Sequence, residues 1–250
     1  MLVFEAFSLM AHCCDGWLLA PEGAVVHPGE RTAVIADVHL GYEWARGSGG
    51  DCLPAHSLRE TLAKLETLLA RARIERLIVA GDLVESSSRC RRTEDDLRRL
   101  SRWLAERAVK LVALRGNHDP PRRPNLPIQT EVAGWTIHHG DRPVAATRRI
   151  LGHHHPVLRA GGLTAPCFLV GPATIVLPAF SKNAAGQAAA KLRLPADVRG
   201  TPLHLVASTG AELLDFGPSG LERETRPPLR VNASSQKKHR NHTQFGTESS

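Results

Sequence analysis

Short apolar runs, each stopping at a polar or glycine-containing motif, set the rhythm of the first half of the chain. Residues 15–30 read as a β-hairpin: apolar 17–20, a turn at Pro21-Glu22-Gly23, then apolar 24–26. Residues 32–36 form a β-branched apolar run, the pattern of a buried strand, and stop at Asp37. Residues 41–56 are rich in turn formers and read as a loop. Leu58, Leu62, Leu65, Leu68 and Leu69 then recur at helical spacing, predicting a helix over 57–73 with Ser57 and Glu60 as a capping box. A second strand, 77–80, stops at Gly81-Asp82. Thr93 is placed to cap a helix running to about residue 107, and a third strand, 111–114, stops at Gly116-Asn117-His118.

Alternating strands and helices predict an α/β fold with a parallel sheet, and ligand sites in such sheets gather beyond the carboxyl ends of the strands. The rhythm changes after a loop containing Pro120, Pro121, Pro124 and Pro127. Short strands over 129–133, 135–139, 149–152, 167–170, 173–178, 202–207 and 212–216 predict a second, mostly antiparallel sheet. Residues 1–225 read as one domain. Residues 226–250 are polar and basic, with little to bury, and read as a disordered tail.

Composition narrows the class without choosing the chemistry. The chain has 250 residues, 42% hydrophobic and 23% charged, enough for one large buried core. No apolar run approaches the roughly 20 residues of a membrane span, and the N-terminus lacks a basic leader. Five cysteines, an odd number without a CxxC pair, argue against a disulfide framework and a structural zinc site, and favour a reducing cytoplasm. Of the formal charge of +7, the tail holds more than half, through Arg226, Arg230, Lys237, Lys238 and Arg240 against Glu248. The body is therefore mildly basic, compatible with nucleic acid without requiring it.

The chemistry lies in the motifs that stop the runs: Asp37-Val38-His39, Gly81-Asp82, Gly116-Asn117-His118-Asp119, His139-Gly140 and Gly152-His153-His154-His155. Carboxylate, amide and imidazole donors suit borderline divalent ions. Asp37 and His39, two apart, would share a face in a regular strand and could hold one ion. Asp82, on its tight turn, is the candidate bridging carboxylate. His153 and His155 could serve two neighbouring ions, while Asn117 offers an oxygen and His139 an imidazole. Two such ions generate a hydroxide between them that attacks phosphorus in line. His118 is the candidate for protonating the leaving oxygen or stabilising the transition state, with Asp119 holding its ring. Arg122 and Arg123, just beyond, are candidate phosphate contacts. The arginines over 89–107 alternate with acids and read as an ion-paired helix face. Trp44, Trp103 and Trp135 read as packing residues.

This motif string resembles the calcineurin-like metallophosphoesterases over roughly residues 15–190. The resemblance implies a four-layer α/β/β/α sandwich of two mixed sheets flanked by helices. It also implies two ions, one held by Asp37, His39, Asp82 and His155, the other by Asp82, Asn117, His139 and His153, with His118 catalytic. Mn²⁺ is the implied metal, with iron and zinc as alternatives. The run from Asp37 to Glu43 is similar to the start of proteins related to the nuclease subunit SbcD. Gly152-His-His-His-Pro-Val157, Pro166-Cys-Phe168 and Leu177-Pro-Ala-Phe180 resemble the ligase-associated DNA damage response phosphoesterases, with Tyr42 departing from their pattern. These likenesses imply a cytoplasmic DNA-repair phosphodiesterase or nuclease, with a DNA ligase and a helicase as partners. A phosphodiesterase of small nucleotides or other soluble phosphate esters, and a metal-binding scaffold for repair proteins, are the alternatives.

Overall fold

The computed structural model describes residues 10–86, 88–119, 126–195, 198, 202–218 and 229–230. Among the described residues, sixteen strands fall into two sheets. The first has the order β1 (Ala11–His12), β2 (Leu18–Ala20), β3 (Ala24–His27), β4 (Thr32–Ile35), β5 (Arg76–Val79) and β6 (Lys110–Ala113). Its first four strands are antiparallel neighbours, and β4, β5 and β6 run parallel. The helices that return the chain are α2 (Ser57–Arg71) and α3 (Arg91–Ala105).

The second sheet begins with β7 (Gln129–Val132), β8 (Trp135–His138), β9 (Arg149–Leu151), β10 (Pro156–Ala160) and β11 (Leu163–Gly171). It continues with β12 (Thr174–Val176), β13 (Gln187–Ala188), β14 (His204–Ser208), β15 (Leu213–Pro218) and β16 (Leu229–Arg230). It is mixed: β8–β9 and β9–β12 are parallel, whereas β11 pairs antiparallel with β10, β12 and β14. Leu229–Arg230, inside the segment read as a tail, pair with β15.

Strand alternation sorts apolar residues between cores. In β4 and β5, Ala33, Ile35, Leu77 and Val79 face the helices, where Leu65, Leu68, Leu100 and Leu104 meet them. Val34 and Ile78 face the other way and pack between the sheets against Trp135, Ile137, Ile150, Phe168 and Ile175. Each fully buried Leu or Ile contributes about 1.5–3 kcal/mol, so both interfaces are strongly driven. A third cluster, with Leu169, Val176 and Leu205, covers the outer face of the second sheet. The architecture is α/β, two mixed sheets with flanking helices.

Three local expectations are corrected. Residues 41–56 are not wholly loop: α1 (Tyr42–Ser48) forms there. The Ser57–Glu60 capping box does not form; His56 is the N-cap, and the Ser57 hydroxyl accepts from the Gly41 amide at 3.4 Å. Thr93 does not cap α3, which begins two residues earlier after Cys90; Thr93 packs where a Gly41 side chain would stand. Two of the arginines of α3 are ion-paired, Arg98 with Asp95 and Arg99 with Asp96, and all five cysteines are free.

Candidate metal centre

Parallel pairing of β4 and β5 continues past the strand ends and brings the first two motifs together. The Asp37 amide donates to the Gly81 carbonyl, Val38 and His39 to Asp82, and Leu40 to Leu83, all within 3.0–3.2 Å. β8 and β9 deliver the last two motifs in the same manner, with the Gly152 amide donating to the His139 carbonyl. Phe180 and Ser181 amides donate to Ala36 and Asp37 and fasten the two sheets beside the site.

The regular-strand expectation for Asp37 and His39 fails at this point. Asp37, His39, Asp82, His153 and His155 all have φ between 42° and 68°, the left-handed region. Asp and His tolerate it better than most residues, but each such position still costs about 1–3 kcal/mol. The strain turns five side chains inward at the ends of three strands. Glycine makes the approach possible. Gly81 has φ 85°, and a Cβ there would strike the His139 ring. A Cβ at Gly116 would fall on the Asp82 carboxylate and backbone nitrogen.

Two groups of donor atoms result. Around His139 Nε2 stand Asn117 Oδ1 at 2.9 Å, Asp82 Oδ2 at 3.2 Å and His153 Nδ1 at 3.2 Å. His139 Nδ1 donates to the Ala80 carbonyl at 3.0 Å, which fixes the tautomer and leaves the Nε2 lone pair for a ligand. In the second group, Asp37 Oδ1 lies 3.1 Å from His155 Nε2, beside His39. Asp37 also groups with Asp82 and His139. Within the set of Asp37, His39 and His155, and within that of Asp37, Asp82 and His139, the donor atoms lie within 4.8 Å of one another.

In the second group the orientation suits an ion better than hydrogen bonds. Asp37 Oδ1, His39 Nε2 and His155 Nε2 are buried without a hydrogen-bond partner among the described residues, although the first and last nearly touch. Two donors about 2.1 Å from a shared cation and at right angles stand about 3 Å apart, the spacing found here. The electrostatics agree. Burial opposes charge on His139, yet the Asp82 hydrogen bond and the Asp37 and Asp82 charges hold its pKa up at about 9. Burial likewise opposes charge on Asp82, but the His139 contact and charge keep its carboxyl below the usual range. The cluster thus attracts positive charge. His154 differs: burial and then the His153 charge push it down to about 4, and it joins neither group.

His118 stands beside the donors, its ring edge-on to His39 at 5.0 Å between centroids. The contact expected between Asp119 and that ring is absent among the described residues. Asp119 is buried and accepts instead from the amides of Gly116, Asp82 and, more distantly, Val84, at 2.8, 3.0 and 3.4 Å. Side-chain length explains this: the carboxylate folds back under its own loop and ties it to the Gly81-Asp82 turn. The His118 ring is held by a residue the sequence reading passed over, Glu85. Its carbonyl accepts from Nδ1 at 2.7 Å, and its carboxylate lies 2.7 Å from His39 Nδ1. An acid three residues after Asp82 was the available signal. Arg122 and Arg123 lie outside the described residues.

A dense set of hard and borderline donors on strand ends, with a histidine beside it, defines a metal-dependent hydrolase of phosphate esters. The calcineurin-like phosphoesterase family matches residues 30–167, and the chain belongs to that family. Among solved structures the chain is similar to the crystal structure of a nuclease, MPE, from Pseudomonas putida. The two share 27% identity at a TM-score of 0.56, over 76% of this chain and 91% of that one. No match was found among curated proteins.

Proposed function

We propose that the chain hydrolyses phosphodiester bonds in DNA, in repair and in the cytoplasm, using two divalent ions with Mn²⁺ the working metal. The observation that carries the reading is the pair of donor groups meeting at Asp37 and Asp82, with His118 beside them. The nuclease of similar fold supports a nucleic-acid substrate. Asp37, His39, Asp82 and His155 would hold one ion, and Asp82, Asn117, His139 and His153 the other. Bound there, the ions supply an activated water and neutralise charge on the phosphoryl oxygens.

The remaining steps belong to side chains. Because Glu85 offers a carbonyl, His118 Nδ1 carries a proton and Nε2 is the atom free to face substrate. Protonated, Nε2 donates to the leaving oxygen; the Glu85 carbonyl holds the ring in that direction. The Asp82 carboxylate accepts from the His118 backbone amide at 2.8 Å, so the ligand and the acid move as one unit. A DNA ligase and a helicase are the proposed partners.

Hydrolysis of bis-p-nitrophenyl phosphate, single-stranded DNA and duplex DNA with Mn²⁺ tests the proposal. His118→Ala is expected to lower kcat on all cleaved substrates by about 100-fold or more while metal content stays the same. Ester turnover without DNA cleavage would contradict the nuclease reading and point to small soluble diesters. Metal binding without any turnover would contradict both and favour a scaffold.

A further inference from the structure

A cavity of about 360 Å³ lies on the helix side, between α1, α2 and α3. Glu43 lines it and is only 4% exposed, yet its Oε2 has no hydrogen-bond partner among the described residues. The other carboxylate in the lining, Asp96, is occupied: it accepts from Trp44 Nε1 at 2.8 Å and faces Arg99 at 3.7 Å. That bond fixes the indole, and Arg92 lies over its ring at 4.9 Å. Leu58 and Leu62 complete an apolar lining, while the exposed Arg59 and Arg99 stand at the cavity as well.

A buried carboxylate without a partner costs free energy unless a ligand supplies donors. A further cation is disfavoured, because two guanidiniums already line the cavity, and neither pairs with Glu43 among the described residues. A flat ligand with adjacent N–H donors and an attached phosphate satisfies every part. Among nucleobases, only guanine presents two neighbouring donors, N1–H and the N2 amine, without an acceptor between them on that edge. Cytosine and adenine set an acceptor beside their amine.

We propose that this cavity is a guanine-binding subsite. Glu43 accepts from N1–H and the N2 amine, Trp44 and the leucines bound the ring, and Arg59 and Arg99 take the attached phosphate. The inference deepens the nucleic-acid reading above and rests on it for its role: α1, which carries Glu43 and Trp44, begins three residues after His39.

The test is titration of the full-length protein with guanosine, inosine, adenosine, cytidine and methylguanidine, none of which carries a phosphate to engage the metal centre. Tryptophan fluorescence and calorimetry give the affinities. Guanosine is expected to bind best, with inosine, which lacks the N2 amine, about tenfold weaker. Glu43→Gln should lose about tenfold or more for guanosine, and Trp44→Phe should report whether the optical signal arises in the cavity; thermal unfolding checks that both variants fold. Equal affinity for all nucleosides, an unaffected Glu43→Gln, or tighter binding of methylguanidine would overturn the proposal. Competition by a single-stranded oligonucleotide with guanine, but not with inosine, would assign the base to a strand; competition by guanosine alone would assign it to a free nucleotide. Bis-p-nitrophenyl phosphate hydrolysis by the same wild-type sample keeps the readings separate, since its failure would remove the phosphoesterase reading without touching guanosine binding.

Discussion

Asp119 gathers three backbone amides on one carboxylate, and two of them belong to the loop that carries Asp82. Removing it strands buried donors at about 1–3 kcal/mol each. Asp119→Ala should therefore cost about 3 kcal/mol or more in urea unfolding of the metal-free protein, whereas a residue that only oriented the His118 ring would leave stability unchanged. Gly116→Ala belongs to the same scale. Its Cβ would displace the Asp82 carboxylate, so calorimetry with Mn²⁺ should show metal affinity reduced by about 10-fold or more; native affinity would disprove the close approach. The seven candidate ligands were legible as residue types at the ends of apolar runs. Their backbone was not. A strand rule gives Asp37 and His39 a common face, but the left-handed conformation that turns them inward depends on neighbours far along the chain, such as Asp82.

The elements follow the same division. β4, β5 and β6 were readable because each alternates between two apolar cores and needs no other instruction. α1 was hidden, since Gly41, Gly47, Gly49 and Gly50 depress helix propensity, and the Trp44–Asp96 bond that supports it spans 52 residues. α2 adds a contact that periodicity cannot show: Lys64 donates to the Phe180 carbonyl at 2.7 Å and lies over that ring, reaching the segment bonded to Ala36 and Asp37. Burial, then the Lys182 charge, lower the Lys64 pKa from 10.5 to about 8. Between those values the unfolded chain keeps a proton that the folded chain has released. Stability attributable to Lys64 should thus rise with pH from about 8 to about 10.5, and Lys64→Met should remove that slope. Urea unfolding across this range checks it, with an identical slope in the variant as the contrary result.

At the scale of the molecule, the two sheets are the device that assembles the site. One sheet contributes Asp37, His39, Asp82 and Asn117, and the other His139, His153 and His155, across the buried layer between them. Sheet membership was foreseeable from the change of rhythm after residue 120; the crossing of β8 and β9 over the first sheet was not, because nothing local encodes it. None of the described helices is long and apolar enough to cross a membrane. Ions bound between the sheets should stabilise the whole fold, so the midpoint of thermal unfolding should climb with Mn²⁺ concentration and fall with chelator. A midpoint insensitive to both would mean the donor groups do not bind metal in the folded chain.

Anomalous X-ray diffraction from crystals grown with Mn²⁺ tests the central claim most directly. Two peaks are expected, one bounded by Asp37, His39 and His155, the other by Asn117, His139 and His153, with Asp82 between them. A single peak, or manganese bound away from these seven side chains, would contradict the two-ion centre on which the proposed chemistry stands.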